Sequence, residues 1–151
     1  MTRAAAYQFL LRVRDEMEAA RFAISTVARE WHKYLTEAPA PSGRALSPGD
    51  LDRCLDNLEI TYILRLFGTW EAVLRGYWLQ GLGRLTDPDL KPLVDSLAAR
   101  RAVDPVTLAT VHDLRAFRNE IVHENLQVLR YDYAQVAKGL AKFIAYLPLN
   151  W

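Results

Sequence analysis

Cysteine is nearly absent: the 151-residue chain has one, Cys54, so neither an intramolecular disulfide nor a thiolate metal site can form. The fold must stand on its core alone, and a reducing cytoplasm is the expected location. Charge of one sign is lacking as well. Nineteen Lys and Arg stand against 18 Asp and Glu, a formal net charge of +1, which excludes a histone-like grip on nucleic acid and a polybasic membrane anchor. Any polyanion must be met locally. Long hydrophobic runs are missing too, since Arg65, Glu71 and Arg75 break the most apolar stretch below the roughly 18 residues of a span. Near the N-terminus, Gln8, Arg12, Arg14 and Asp15 interrupt what would be a signal-peptide core. No membrane partner is expected. Strict strand-like alternation and internal repeats are also absent.

What is present is enough apolar material for a core. With 51% apolar and 25% charged residues, the chain reads as a single helical domain over 1–151. Leu10, Val13, Met17, Ala20, Ile24, Val27, Trp31 and Tyr34 recur in steps of three and four, predicting a long first helix from Ala4 to Tyr34. Three prolines and two glycines mark a mobile connector over about 38–50, with Asp50 as the expected N-cap of the next helix. A central helix over about 51–80 carries Leu51, Leu55, Leu58, Tyr62, Leu66, Trp70, Val73 and Tyr77 at helical spacing, and Cys54 falls on its core side. A short helix is expected from about Leu93 to Arg101. Asp104-Pro105 then opens a helix running to about Glu124. Past a linker around Gln127 to Tyr131, Asp132 caps a last helix that buries Val136, Leu140, Phe143, Ile144 and Leu147 before Pro148. The expected fold is all-α, an antiparallel bundle of four main helices plus one short helix.

One helix does not fit a pure bundle. Advancing about 100° per residue from Leu108, the residues Phe117, Ile121, Leu114, Val111 and Val122 fall between about 180° and 320°. Arg118 lands inside that apolar arc, where packing alone would ask for leucine. Beside it Arg115, Asn119, His112 and His123 form a polar stripe. A buried or half-buried guanidinium requires partners, and the central helix offers Glu59 and Glu71, both among apolar neighbours. Either makes a structural ion pair with Arg118 or holds it in a site. The two histidines, eleven residues apart with no third ligand, predict no metal, and no cofactor is expected. The tryptophans and tyrosines at helical spacing are read as core rather than as stacking platforms.

The segment Arg118-Asn119-Glu120-Ile121-Val122-His123 near the end of the third long helix resembles the signature of the HEPN superfamily of small all-α domains. In that family an arginine is followed, after four to six residues, by a histidine, commonly with a polar residue right after the arginine. Arg65-Leu66-Phe67-Gly68-Thr69-Trp70-Glu71 is similar to the stretch that precedes the motif helix in several clades, and the resemblance spans about Leu51 to Pro148. It implies a HEPN-like bundle and, in many members, a metal-independent endoribonuclease, frequently a toxin or antiviral effector. It further implies Arg118 and His123 as catalytic residues with Asn119 setting their geometry. Members that have lost catalysis serve as binding or dimerisation modules, so a non-catalytic interaction or nucleotide-binding module is the alternative. In the clade silenced by nucleotidylation a tyrosine stands two residues after the histidine, whereas Asn125 stands here.

The chemistry needs few residues. RNA carries its own nucleophile, because the 2′-hydroxyl attacks the adjacent phosphate once a base removes its proton. Imidazole moves protons near neutrality and guanidinium stabilises charge on the phosphate oxygens. One Arg–His pair offers a single proton carrier, and five residues separate its members by about 140° around a helix and about 7.5 Å along it. A homodimer that brings two motifs to one groove supplies both base and acid. The expected partners are therefore RNA, a second copy of the chain and, for a toxin, an antitoxin or effector protein. Glu71 or Glu59 is expected to support Arg118, with Arg115 and His112 extending the groove toward neighbouring phosphates.

Overall fold

Residues 1–30, 47–124 and 129–151 are described by the structure, a computed structural model. Among them the chain is all-α: five helices and no strand, with one isolated bridge between Thr2 and Asn150. Helix α1 spans Arg3–Arg29, where the Thr2 hydroxyl accepts from the Ala5 N–H at 3.0 Å and caps the first turn. It closes at Glu30, whose N–H donates to Thr26 O. Trp31 and Tyr34, expected on the same helix, lie outside the described residues, as does the connector up to residue 46.

Helix α2 spans Pro48–Gly76. Its N-cap is Ser47 and not Asp50. The Ser47 N–H donates to Asp50 Oδ2 at 2.8 Å, and the Asp50 N–H donates back to Ser47 Oγ at 3.3 Å, a reciprocal capping box. Proline with its preset φ suits the first helical position, so the helix begins two residues before the expected cap. Cys54 is exposed, which corrects its placement on the core side. At its far end α2 passes into a π-helical turn, Tyr77–Gly81, closed by the Leu82 N–H on Tyr77 O at 3.0 Å. A Cβ on Gly81 would sit 2.8 Å from Trp151 Cβ, so only glycine lets the C-terminal tail approach.

Helix α3 spans Leu90–Arg101 and starts three residues earlier than expected, because Pro92 sits in the first turn, where its missing N–H has no intrahelical partner to lose. Helix α4 spans Pro105–Glu124. Asp104 Oδ1 accepts from the Val106 and Thr107 N–H groups at 3.0 and 2.9 Å. Helix α5 spans Tyr133–Ile144 and opens on a capping box between Asp132 and Gln135.

Helix directions follow from cross-contacts. α1 runs opposite to α2, with Arg21 against Glu59, Arg65 against Glu16 and Met1 against Gly76. It also runs opposite to α5, where Arg3 donates to Ala145 O and Tyr7 to Ala141 O. α4 opposes α5, joined by Tyr146 to Asp104 at one end and packed through Leu114 against Gly139. Trp70 of α2 meets Phe143 of α5 edge to face at 5.7 Å, at the centre of one contiguous buried cluster. Every apolar residue expected on the buried side of the last helix is buried, Leu147 just beyond its end included. No helix among the described residues is long and apolar enough to cross a membrane.

Candidate functional site

The polar stripe lies on α4, whose buried face is narrower than periodicity predicts. Val111, Leu114, Phe117 and Ile121 are buried, as is Thr107, but Leu108 is half-buried and Val122 is 47% exposed. Val122 was expected in the core. It sits at the edge of the arc, next to the buried Ile121. Arg118, at the same flank, is half-buried. Its guanidinium Nη1 donates to Asn119 Oδ1 at 3.1 Å, which restrains one end of the fork while leaving other N–H groups to a ligand. His123 is exposed on the last turn.

Glu59 and Glu71 are engaged elsewhere. Glu59 Oε1 accepts from the Tyr133 N–H at 2.8 Å, and Oε2 lies 3.9 Å from Arg21 Nη2, so this carboxylate joins α1, α2 and the start of α5. Glu71 is bonded to Arg75 one turn on, at 2.9 and 2.6 Å, and Arg75 also reaches Asp87 and Pro88 O. Among the described residues, Arg118 has no carboxylate within ion-pair distance. The carboxylates of α2 expected to support Arg118 are thus committed to other cations and backbone donors.

His112 is likewise drawn away. Its Nε2 lies 2.7 Å from Asp95 Oδ1 of α3, and its Nδ1 is buried without a hydrogen-bond partner. Lys91 holds the same carboxylate at 3.0 Å. The bond from Lys91 draws Asp95 below the ordinary carboxylate range against the opposing effect of burial, with a smaller contribution from the His112 bond. With one ring nitrogen paired and the other enclosed, His112 joins α3 to α4 instead of facing a groove.

Two residues escaped the sequence reading. Asp95, the partner of His112, lies 17 positions upstream, a pairing that only the α3–α4 crossing creates. Arg130 collects the acids of α4, standing 3.3 Å from both Asp113 and Glu120. It also stacks 5.1 Å from the Tyr131 ring centroid and 5.8 Å from that of Phe117. Tyr131 itself donates to Asp113, whose carboxylate, together with burial, pushes the phenol above its usual range. The acids of α4 are therefore used on the flank opposite Arg118. A signal existed in Asp113 and Glu120 sharing a face seven residues apart, but nothing local tied Arg130 to it.

α4 is unbroken α-helix through Arg118, Asn119 and His123. Helical geometry then separates Arg118 and His123 by about 140° and about 7.5 Å. Asn125, two residues beyond His123, and Gln127 lie outside the described residues. Among the described residues no group of His, Cys, Asp and Glu is placed to hold a metal ion. No family model, no curated protein and no solved structure matches the chain.

Proposed function

We propose that the chain is a HEPN-like helical domain, its four main helices forming the antiparallel bundle, that cleaves RNA as a homodimer. The observation that carries this reading is the end of α4: an exposed imidazole, His123, a turn and a half from a half-buried guanidinium that Asn119 restrains and that no carboxylate among the described residues neutralises. In the proposed reaction one His123 takes the proton of a ribose 2′-hydroxyl. The freed oxygen attacks the adjacent phosphorus and displaces the 5′-oxygen. The second copy's imidazole returns a proton to that leaving oxygen, giving a 2′,3′-cyclic phosphate and a 5′-hydroxyl. Arg118 balances charge on the non-bridging oxygens. The unbroken helix favours two copies over one, because one α4 aims its Arg and His to different sides. An exposed free thiol, Cys54, suits a cytoplasmic setting. A toxin or antiviral effector controlled by a partner protein is the biological role this chemistry fits.

The test is cleavage of labelled single-stranded RNA in EDTA by wild type, Arg118→Ala and His123→Ala. Activity in the wild type with a loss of at least about 100-fold in each variant is expected, on the usual scale of proton-transfer and charge-stabilising groups. Cleavage that survives both substitutions would refute the residue assignment. Inactivity of all three on several RNA types would favour the non-catalytic module, which the near-zero net charge also suits.

A further inference from the structure

The described residues include five half-buried arginines: Arg3, Arg75, Arg101, Arg115 and Arg118. Three are satisfied within the fold. Arg3 donates to Ala145 O and Leu147 O, Arg101 to Tyr146 O, and Arg75 to Glu71, Asp87 and Pro88 O. The other two are neighbours on α4, three residues apart and so on adjoining positions of one face. Arg118 has only the neutral Asn119 amide. Arg115 has no hydrogen bond or ion pair among the described residues, and its Nε is buried without a partner. Two like charges at this spacing repel, and partial burial makes each costlier to leave unpaired. The nearby acids do not help, because Asp113 and Glu120 are held by Arg130 and Tyr131, and Asp95 by Lys91 and His112.

Among the described residues every other half-buried guanidinium has its partners within the fold, while these two adjacent ones have no anion. We infer that Arg115 and Arg118 together form a phosphate-binding site, with Arg115 holding a phosphodiester of the RNA strand next to the one that Arg118 serves. Guanidinium forks suit this ligand, since each presents paired N–H donors to two phosphate oxygens. This rests on the ribonuclease reading only for the identity of the polyanion; the pairing of the two arginines does not depend on catalysis.

Two measurements test it. First, thermal unfolding is followed with and without inorganic phosphate and pyrophosphate. Pyrophosphate should raise the midpoint of the wild type and leave that of Arg115→Gln unmoved, because a ligand stabilises only the state that binds it. Without ligand, Arg115→Gln should melt no lower than wild type, which would not hold for a residue with a structural role. Second, binding of a fully 2′-O-methylated oligonucleotide, which cannot be cleaved, is read by fluorescence anisotropy across a salt series. Arg115→Gln and Arg115→Ala should each weaken binding about tenfold or more and flatten the salt slope by about 0.7, the share of one phosphate contact on a single strand. Arg115→Lys should retain part of the affinity.

Binding that depends on Arg115 without any cleavage of unmodified RNA would leave the site standing and sink the nuclease. Cleavage that needs Arg118 and His123, with Arg115 variants binding within twofold of wild type, would do the reverse. No binding of either probe by the wild type would overturn the site.

Discussion

At the residue scale, the carboxylates show how burial among apolar neighbours is silent about partners. Glu59 and Glu71 sit where projection places them, yet one closes the start of α5 and the other holds Arg75. Asp104 is the clearest case of a carboxylate whose ionised form the fold requires. The Thr107 hydroxyl, the Tyr146 hydroxyl and the Thr107 and Val106 N–H groups all donate to it, and they hold its pKa well below the ordinary range. Because the folded-state pKa is depressed, this stabilisation is complete above the unfolded value of about 4 and is lost as pH falls below it. Urea midpoints measured at pH 6, 4 and 2.5 should therefore fall more steeply at the acid end for wild type than for Asp104→Asn, whose amide still accepts at the helix start but does not titrate. Parallel curves would contradict the assignment.

At the scale of elements, the α4–α5 crossing decides which side chains of α4 are buried. Gly139 sets its closeness, since a Cβ there would lie 2.5 Å from Cδ1 of the buried Leu114. Gly139→Ala gains about 1 kcal/mol of helix propensity but overpacks the crossing at a cost of about 1–3 kcal/mol. The expected net result is a lower melting temperature, against the trend for glycine to alanine in a helix interior. A rise in melting temperature would show that the helices separate cheaply. Just before α5, Tyr131 reaches Asp113 and Arg130 reaches Glu120, so these acids are paired on the flank opposite Arg118.

On the scale of the whole molecule, a net charge of +1 means that affinity for a polyanion must come from a few cations placed without counter-ions. In the proposed homodimer, symmetry doubles them. If the groove is shared by two copies, excess inactive His123→Ala mixed with wild type should lower cleavage per wild-type chain, because a mixed dimer keeps only one of the two imidazoles that the reaction uses. Dilution should lower activity per chain once dimers dissociate. Cleavage per wild-type chain that is unchanged by the mixing, with subunit exchange verified, would place the whole reaction within single copies.

The helices and most of their ends were legible from residue order alone, because caps and prolines act over three or four residues. Asp104-Pro105 and the Asp132–Gln135 box are where local chemistry asked for them; the Ser47 cap, equally local, was passed over for Asp50. The all-α class followed from the same short-range periodicity. What only the tertiary structure decided is which charge meets which: His112 with Asp95, Glu59 with the α5 backbone, Arg130 with Asp113 and Glu120 of α4. These pairings join residues 10 to 74 positions apart, a distance at which helix crossing, and no local preference, sets who is near. Arg118 stands out in the sequence by its polarity on an apolar face, but that it and Arg115 have no anion among the described residues is set by where the tertiary structure commits Glu59, Glu71, Asp95, Asp113 and Glu120.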